Sequence, residues 1–293
     1  MPPTFMQALR ARWQSADSLV CVGLDPEPAR FPVRFGGAAE APAAALPETG
    51  MSASSDAVFA FCRDIADATA EYACAFKPQI AHFAALGAED ALARLIEHLH
   101  TAHPGVPVIL DAKRGDIGST AQRYVGEAFD RYRADAVTVN PYLGRDSVQP
   151  FLDRADRGVV ILCRTSNPGA GDLQDLVVSG AAGRGRPLYQ HVAETIAREW
   201  NGHGNCALVV GATWPQQLAE VRAIVGDMPL LVPGVGAQGG DAAAVVRNAR
   251  SADGTGLLVS SSRAILYASS GDDYAEAAAR AARDLRDTLN AAR

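Results

Sequence analysis

The segment DAKRGDIGST, Asp111–Thr120, places a carboxylate and an ammonium two positions apart at the end of an apolar run. Residues i and i+2 of a strand share a face, so Asp111 and Lys113 are expected to point the same way. Interior positions of parallel strands normally hold Val, Ile or Leu, and a charge there needs a partner or a function. Asp116 falls beyond the strand and is expected to point elsewhere. A lone D-x-K is also what a structural salt bridge looks like. Two more apolar runs end in the same kinds of group, VGLDPEP in Asp25 and AFKPQ in Lys77. Side by side, Asp25, Lys77, Asp111 and Lys113 form one layer of alternating charge whose members keep each other ionised. Such a layer costs stability unless it serves something, which favours catalysis over a purely structural role.

A second constellation lies near the other end of the chain. PGVGAQGGD (Pro233–Asp241) and SSSRAIL (Ser260–Leu266) each follow an apolar run. Glycines let backbone N–H groups approach an anion, a helix starting near Asp241 adds its positive end, and Arg263 offers a planar fork for phosphate oxygens. Gly234, Gly236 and Gly239 also match G-x-G-x-x-G, but a dinucleotide fingerprint would follow the first strand and be trailed by an acidic residue about 20 positions on. A phosphate site is the better reading of the run. His82, His98, His100 and His103 lie close in sequence without the spacing of a helical zinc motif, and read as exposed helix ends. Ser260, Ser261 and Ser262 lack the setting of a nucleophile elbow. Trp13, Trp200 and Trp214 are too dispersed for a stacking platform. The 5 cysteines are scattered, form no C-x-x-C pair, and fit small buried hydrophobes in a reducing compartment.

These groups require a scaffold that brings many strand ends together. The candidate strands are Ser18–Leu24, Ala73–Gln79, Val106–Ala112, Asp135–Asn140, Gly158–Arg164, Cys206–Ala212, Pro229–Gly234 and Gly256–Ser262. Their near-continuous apolar character fits strands buried on both faces. Helical candidates follow at about Asp56–Tyr72, Glu89–Thr101, Ser119–Tyr132, Asp146–Ala155, Pro187–Trp200, Pro215–Val225, Asp241–Ala249 and Asp273–Ala292. Eight strand–helix units predict a single α/β domain folded as a (β/α)8 TIM barrel, with a doubly wound open sheet as the alternative. Residues 31–55, rich in Ala, Pro, Gly and Ser, read as an insertion after the first strand. Residues 165–186 read as a long Gly-rich loop after the fifth strand, placed to close over a ligand. The chain of 293 residues is 48% hydrophobic and 20% charged, with a net charge of −6, which argues against disorder and against non-specific nucleic-acid or membrane attraction. No apolar run reaches the roughly 18 residues of a membrane span, and the first residues read as a short amphipathic helix rather than a secretion signal.

Taken together, D-A-K-x-x-D-I at Asp111–Ile117, GLD and FKPQ upstream, and PGVGAQGGD with SSRAI downstream resemble the orotidine 5′-phosphate decarboxylase family. VNPYLG and TSNPGA resemble its longer bacterial subgroup. The resemblance runs from about Leu19 to Ile265, and the 31–55 insertion lies outside the shared pattern. It implies a cytoplasmic, cofactor-free and metal-free barrel that converts orotidine 5′-phosphate to UMP and CO2, the last step of de novo pyrimidine synthesis. It further implies Lys113 as proton donor to C6 of the pyrimidine, Asp111 beside the departing carboxylate, and Asp25 and Lys77 at the ribose hydroxyls. Ser166 would read the pyrimidine edge, and Gln238 and Arg263 would hold the phosphate, with Gly236 and Ala237 near it through their backbones. The resemblance also implies a homodimer in which Asp116 and Thr120 reach into the partner's site. Relatives that share D-x-K-x-x-D include sugar-phosphate enzymes that use Mg2+ to stabilise an enediolate, and for such a reaction Asp25 and Asp111 would be the metal ligands. A Schiff-base aldolase through Lys113 and a non-enzymatic binding barrel are weaker readings.

Overall fold

The computed structural model describes residues 3–36, 54–179, 185–235 and 240–293. Eight parallel strands form one sheet: β1 (Val20–Leu24), β2 (Ala75–Pro78), β3 (Ile109–Arg114), β4 (Ala136–Val139), β5 (Gly158–Arg164), and, after a two-stranded antiparallel hairpin of β6 (Val177–Ser179) and β7 (Gly185–Pro187), β8 (Cys206–Val210), β9 (Leu230–Pro233) and β10 (Leu257–Ser261). The order β2-β1-β10-β9-β8-β5-β4-β3 leaves β2 and β3 at the two ends, and parallel bridges Phe76 to Val108 and Gln79 to Asp111 join them. The ring is therefore closed into the expected (β/α)8 barrel, and the open-sheet alternative falls away. Closure puts Asp111 on the β2–β3 seam, next to the strand that carries Lys77.

Near-continuous apolar runs become strands here because both faces are covered. Val20–Leu24, Ala136–Val139 and Cys206–Val210 are buried at every position. The first residues do form a helix, Phe5–Ser15, started by a capping box between Thr4 and Gln7. Its apolar side buries Phe5, Leu9 and Trp13, and it covers the N-terminal end of the barrel: the Trp13 indole N–H donates to Leu257 O at 2.8 Å. Gly158 at the start of β5 admits the Phe5 ring, since a Cβ there would lie 2.2 Å from it.

Two expected helices are interrupted. The Ser119–Tyr132 stretch is an α-helix over Gly118–Val125 continued by a wider π-turn over Gly126–Arg131, and the Pro187–Trp200 stretch divides likewise at Ile196. Of the 31–55 stretch, residues 31–36, 54 and 55 are described. Phe31 is buried and stacks on Phe61 at 4.2 Å, and Phe35 meets Phe61 and Tyr274 edge-on. Its first residues thus belong to the helix layer. All five cysteines are buried and unpaired. No described helix is long and apolar enough to cross a membrane.

Candidate active site

The carboxyl ends of β2 and β3 meet at one carboxylate. Asp111 accepts from the Lys77 ammonium at 2.9 Å on Oδ2, and from the Lys113 ammonium at 2.7 Å on Oδ1. Lys77 and Asp111 are only 6% and 7% exposed, whereas the Lys113 side chain is 46% exposed and reaches the mouth. Burial alone would neutralise Asp111, but Lys77 and Lys113 outweigh it and hold its carboxyl well below the usual range. Burial would likewise discharge Lys77, and Asp111, aided by Asp25, instead raises its pKa above that of an ordinary lysine. Lys77 and Asp111 therefore stay ionised at neutral pH, and the Lys113 side chain is the one open to a ligand.

The expected alternation of four charges is corrected in one respect. Asp25 lines the same cavity but makes no hydrogen bond or ion pair to the lysines, and its Oδ1 is buried without a partner among the described residues. It lies just past the end of β1, and the charges bonded to each other are Lys77, Asp111 and Lys113. A buried carboxylate oxygen with no donor is suited to accept from a bound ligand's hydroxyl.

Lys113 also does not reach the site by simple alternation. Three β3 residues, Asp111, Ala112 and Lys113, lie between the registered positions Leu110 and Arg114, opposite the single β4 residue Thr138 between Val137 and Val139. The surplus bulges out, and Lys113 adopts φ 47°, a left-handed conformation that costs a non-glycine residue free energy and is held only where the surroundings enforce it. Thr138, 1% exposed, supplies that enforcement. Its hydroxyl accepts from the N–H groups of Ala112 and Lys113, each at 2.9 Å, and donates to Asp111 Oδ1 at 2.8 Å. One hydroxyl thereby uses its donor and both acceptor sites to fix the bulge and the carboxylate together. The sequence signal was a lone hydroxyl inside the apolar run DAVTVN, which passes for an ordinary strand threonine. Replacement Thr138→Val keeps the shape but strands two amides, each costing about 1–3 kcal/mol. The variant is expected to melt earlier and to lose kcat more than it gains KM, while Thr138→Ser restores both. A Thr138→Val protein with unchanged kcat would remove the hydroxyl from this role.

Two cavities meet at Lys113. One, of about 200 Å³, is lined by Asp25, Lys77, Asp111, Ser262 and Arg263 among others; the second, of about 450 Å³, is lined by Ser166, Asn167 and Gln174. Lys113, Val209 and Pro233 border both. Arg263 is exposed at the start of a short helix and has no ion-pair partner among the described residues. Ser166 sits against Gly211, where an added Cβ would fall 2.7 Å from the serine's Cα, so only glycine lets this loop approach. The loop is rooted by Arg164, 1% exposed, which bonds Asp175 at 3.0 Å, and by the Gln174 side chain, which accepts from Thr165 N at 2.8 Å. Asp116 and Thr120 stand apart from the triad at the exposed start of helix Gly118–Val125, beside an Ile117 that is 57% exposed. Gly236, Ala237 and Gln238 lie outside the described residues. On either side of them, Val235 bridges to Gly240 and Asp241 caps helix Ala242–Ala249.

The arrangement offers a fixed ammonium at the junction of two cavities, an unpartnered buried carboxylate oxygen on one side, and a free guanidinium at the rim. Known proteins resemble this chain along most of its length. Residues 18–281 match the family described as Orotidine 5′-phosphate decarboxylase / HUMPS. An orotidine 5′-phosphate decarboxylase of Azoarcus sp. (strain BH72) is 58% identical over 289 residues, 99% of either chain. Among solved structures, the OMP decarboxylase of Leishmania donovani superposes with a TM-score of 0.79 at 37% identity, over 99% of this chain and 98% of the other. The UMP synthase of the same organism gives 0.82 at 39% identity, but this chain spans only 56% of it.

Proposed function

The chain belongs to the orotidine 5′-phosphate decarboxylase / HUMPS family, and on that premise we propose that it decarboxylates orotidine 5′-phosphate to UMP and CO2 with Lys113 as the proton donor. The observation that carries the assignment is the Lys113 ammonium, held 2.7 Å from Asp111 where the two cavities join. The C6–carboxylate bond breaks, CO2 leaves, and the electron pair stays on C6 as a vinylic carbanion that the pyrimidine ring does not delocalise. A cation already fixed beside C6 stabilises that charge without reorganising and then transfers its proton there. Its exposed side lets solvent restore the proton.

The remaining roles are those the family resemblance implies, and the cavity linings support the ones of Asp25, Lys77, Ser166 and Arg263. Asp25 Oδ1, buried and unpartnered, accepts from a ribose hydroxyl, and Lys77 supports the same end. Arg263 pairs with the phosphate, together with Gln238 and the backbone around Gly236 and Ala237. Ser166 reads the pyrimidine edge from the second cavity. Phosphate binding, remote from the reacting carbon, provides energy for closing the 165–186 loop and orienting the ring. The enzyme works in the cytoplasm, with no metal or organic cofactor in the reaction.

Asp116 and Thr120, set away from their own triad, serve the site of a second subunit in a homodimer. The test uses two inactive proteins, Lys113→Ala and Asp116→Ala, unfolded together, mixed equally and refolded. Random pairing makes about half the dimers mixed, each with one intact site, so about one quarter of wild-type activity on orotidine 5′-phosphate should return. No recovery, with mixed dimers verified by mass spectrometry, would mean that each site is built from one chain.

A further inference from the structure

On the outside of the barrel, two helices bring three ligand-type atoms together. Asp67 lies in the last turn of helix Ser55–Thr69, His98 lies within helix Glu89–Ala102, and His103 caps that second helix. His98 Nε2 is 2.7 Å and His103 Nε2 is 2.6 Å from the same oxygen, Asp67 Oδ1. The two imidazoles stand nearly perpendicular, at 80° with centroids 6.0 Å apart, so both aim one nitrogen at a common point. The histidine side chains are 25% and 20% exposed and the aspartate 41%, which leaves one side open to water. Sequence spacing conceals the cluster because His98 and His103 are not one helical turn apart and the third member belongs to another helix.

We propose that Asp67, His98 and His103 form a binding site for a borderline divalent transition-metal ion such as Zn2+, separate from the active site. Two imidazole nitrogens and a carboxylate oxygen are donors such ions favour over Mg2+ or Ca2+. Tetrahedral zinc ligands at about 2.0–2.1 Å sit roughly 3.3 Å apart, so the two N···O distances need to open by only a fraction of an ångström, with water as fourth ligand. Each neutral imidazole gives up its Nε2–H bond to Asp67 by moving that proton to Nδ1, which has no partner among the described residues. The negative ends of two helix dipoles converge on the same place and favour a cation there. An ion so held ties helix Ser55–Thr69 to the turn that leads into β3, the strand bearing Asp111 and Lys113. It acts as a staple on the scaffold and takes no part in the chemistry.

The experiment uses tag-free protein stripped with EDTA and dialysed, titrated with Zn2+ by calorimetry and with Co2+ by visible absorption. The wild type is expected to bind one equivalent, to give the intense visible band of low-coordinate Co2+, and to melt several degrees higher with Zn2+ than with EDTA. Loss of an outer-shell partner alone costs about 10–100-fold in metal affinity, so removing a ligand in His98→Ala or Asp67→Asn should weaken binding by about 100-fold or more. Both variants should keep wild-type turnover of orotidine 5′-phosphate, which certifies their fold. Absence of stoichiometric binding to the wild type, or equal binding by wild type and both variants, would overturn the site.

Discussion

Lys113→Ala is expected to reduce turnover of orotidine 5′-phosphate by at least about 10⁴-fold while leaving the fold and Tm nearly unchanged. A general acid contributes roughly 10²–10⁴-fold and a fixed charge at a developing anion roughly 10²–10³-fold, and Lys113 is assigned both tasks. The fold should tolerate the change because its side chain is 46% exposed and Asp111 keeps Lys77 at 2.9 Å and Thr138 at 2.8 Å. Alanine pays about the same backbone penalty at φ 47° as lysine does. Stopped assays with long incubation, alongside thermal melts and UMP binding, separate lost chemistry from lost structure. Turnover within about tenfold of wild type would place the proton elsewhere, since even one lost general acid exceeds that range.

The second large effect is on stability and falls on Asp111. Removing one member of a buried, hydrogen-bonded ion pair typically costs 3–5 kcal/mol, so Asp111→Asn should destabilise the barrel by about that amount as well as abolish activity. Its signature is the dependence on pH. In the wild type Asp111 has a depressed folded pKa, so its contribution is complete above the unfolded value of about 3.9 and fades as the pH falls below that. Lys77 has a raised folded pKa, so its contribution is complete below about 10.4 and fades only as the pH rises past that. Between these limits the Asp111–Lys77 pair gives no slope. In Asp111→Asn, Lys77 is buried beside another cation, its folded pKa drops below the unfolded one, and stability rises with pH through the neutral range. Denaturant melts from pH 5 to pH 9 distinguish the two proteins. A variant as flat as wild type would show that Asp25 alone keeps Lys77 charged.

Much of this was legible in the residues because the signals were local. Eight apolar runs specify a parallel barrel, the charged ends of the first three mark the face on which its chemistry collects, and DAKRGD marks the strand that matters. What was not legible depends on register between strands. Asp111 and Lys113 were expected to share a face by alternation; they meet instead through a bulge pinned by Thr138, and no spacing rule within β3 reveals a partner on β4. Asp25 was expected in the same charged layer; it lies in the same cavity and acts on Lys77 at a distance, but its buried Oδ1 has no hydrogen-bond partner among the described residues. His98 and His103 were read as exposed helix ends because Asp67, which joins them, is distant in sequence. The two π-turns that break expected helices leave the apolar periodicity almost unaltered, so the pattern did not disclose them.

The most direct test of the account is the product formed by metal-stripped wild-type protein from orotidine 5′-phosphate in D2O with excess EDTA. Disappearance of the orotate chromophore should be matched by one UMP and one CO2 for each substrate consumed, with deuterium at C6 of the UMP. Turnover that appears only when Mg2+ is restored, or UMP formed without deuterium at C6, would contradict a metal-free decarboxylation completed by a solvent-exchanged proton of Lys113.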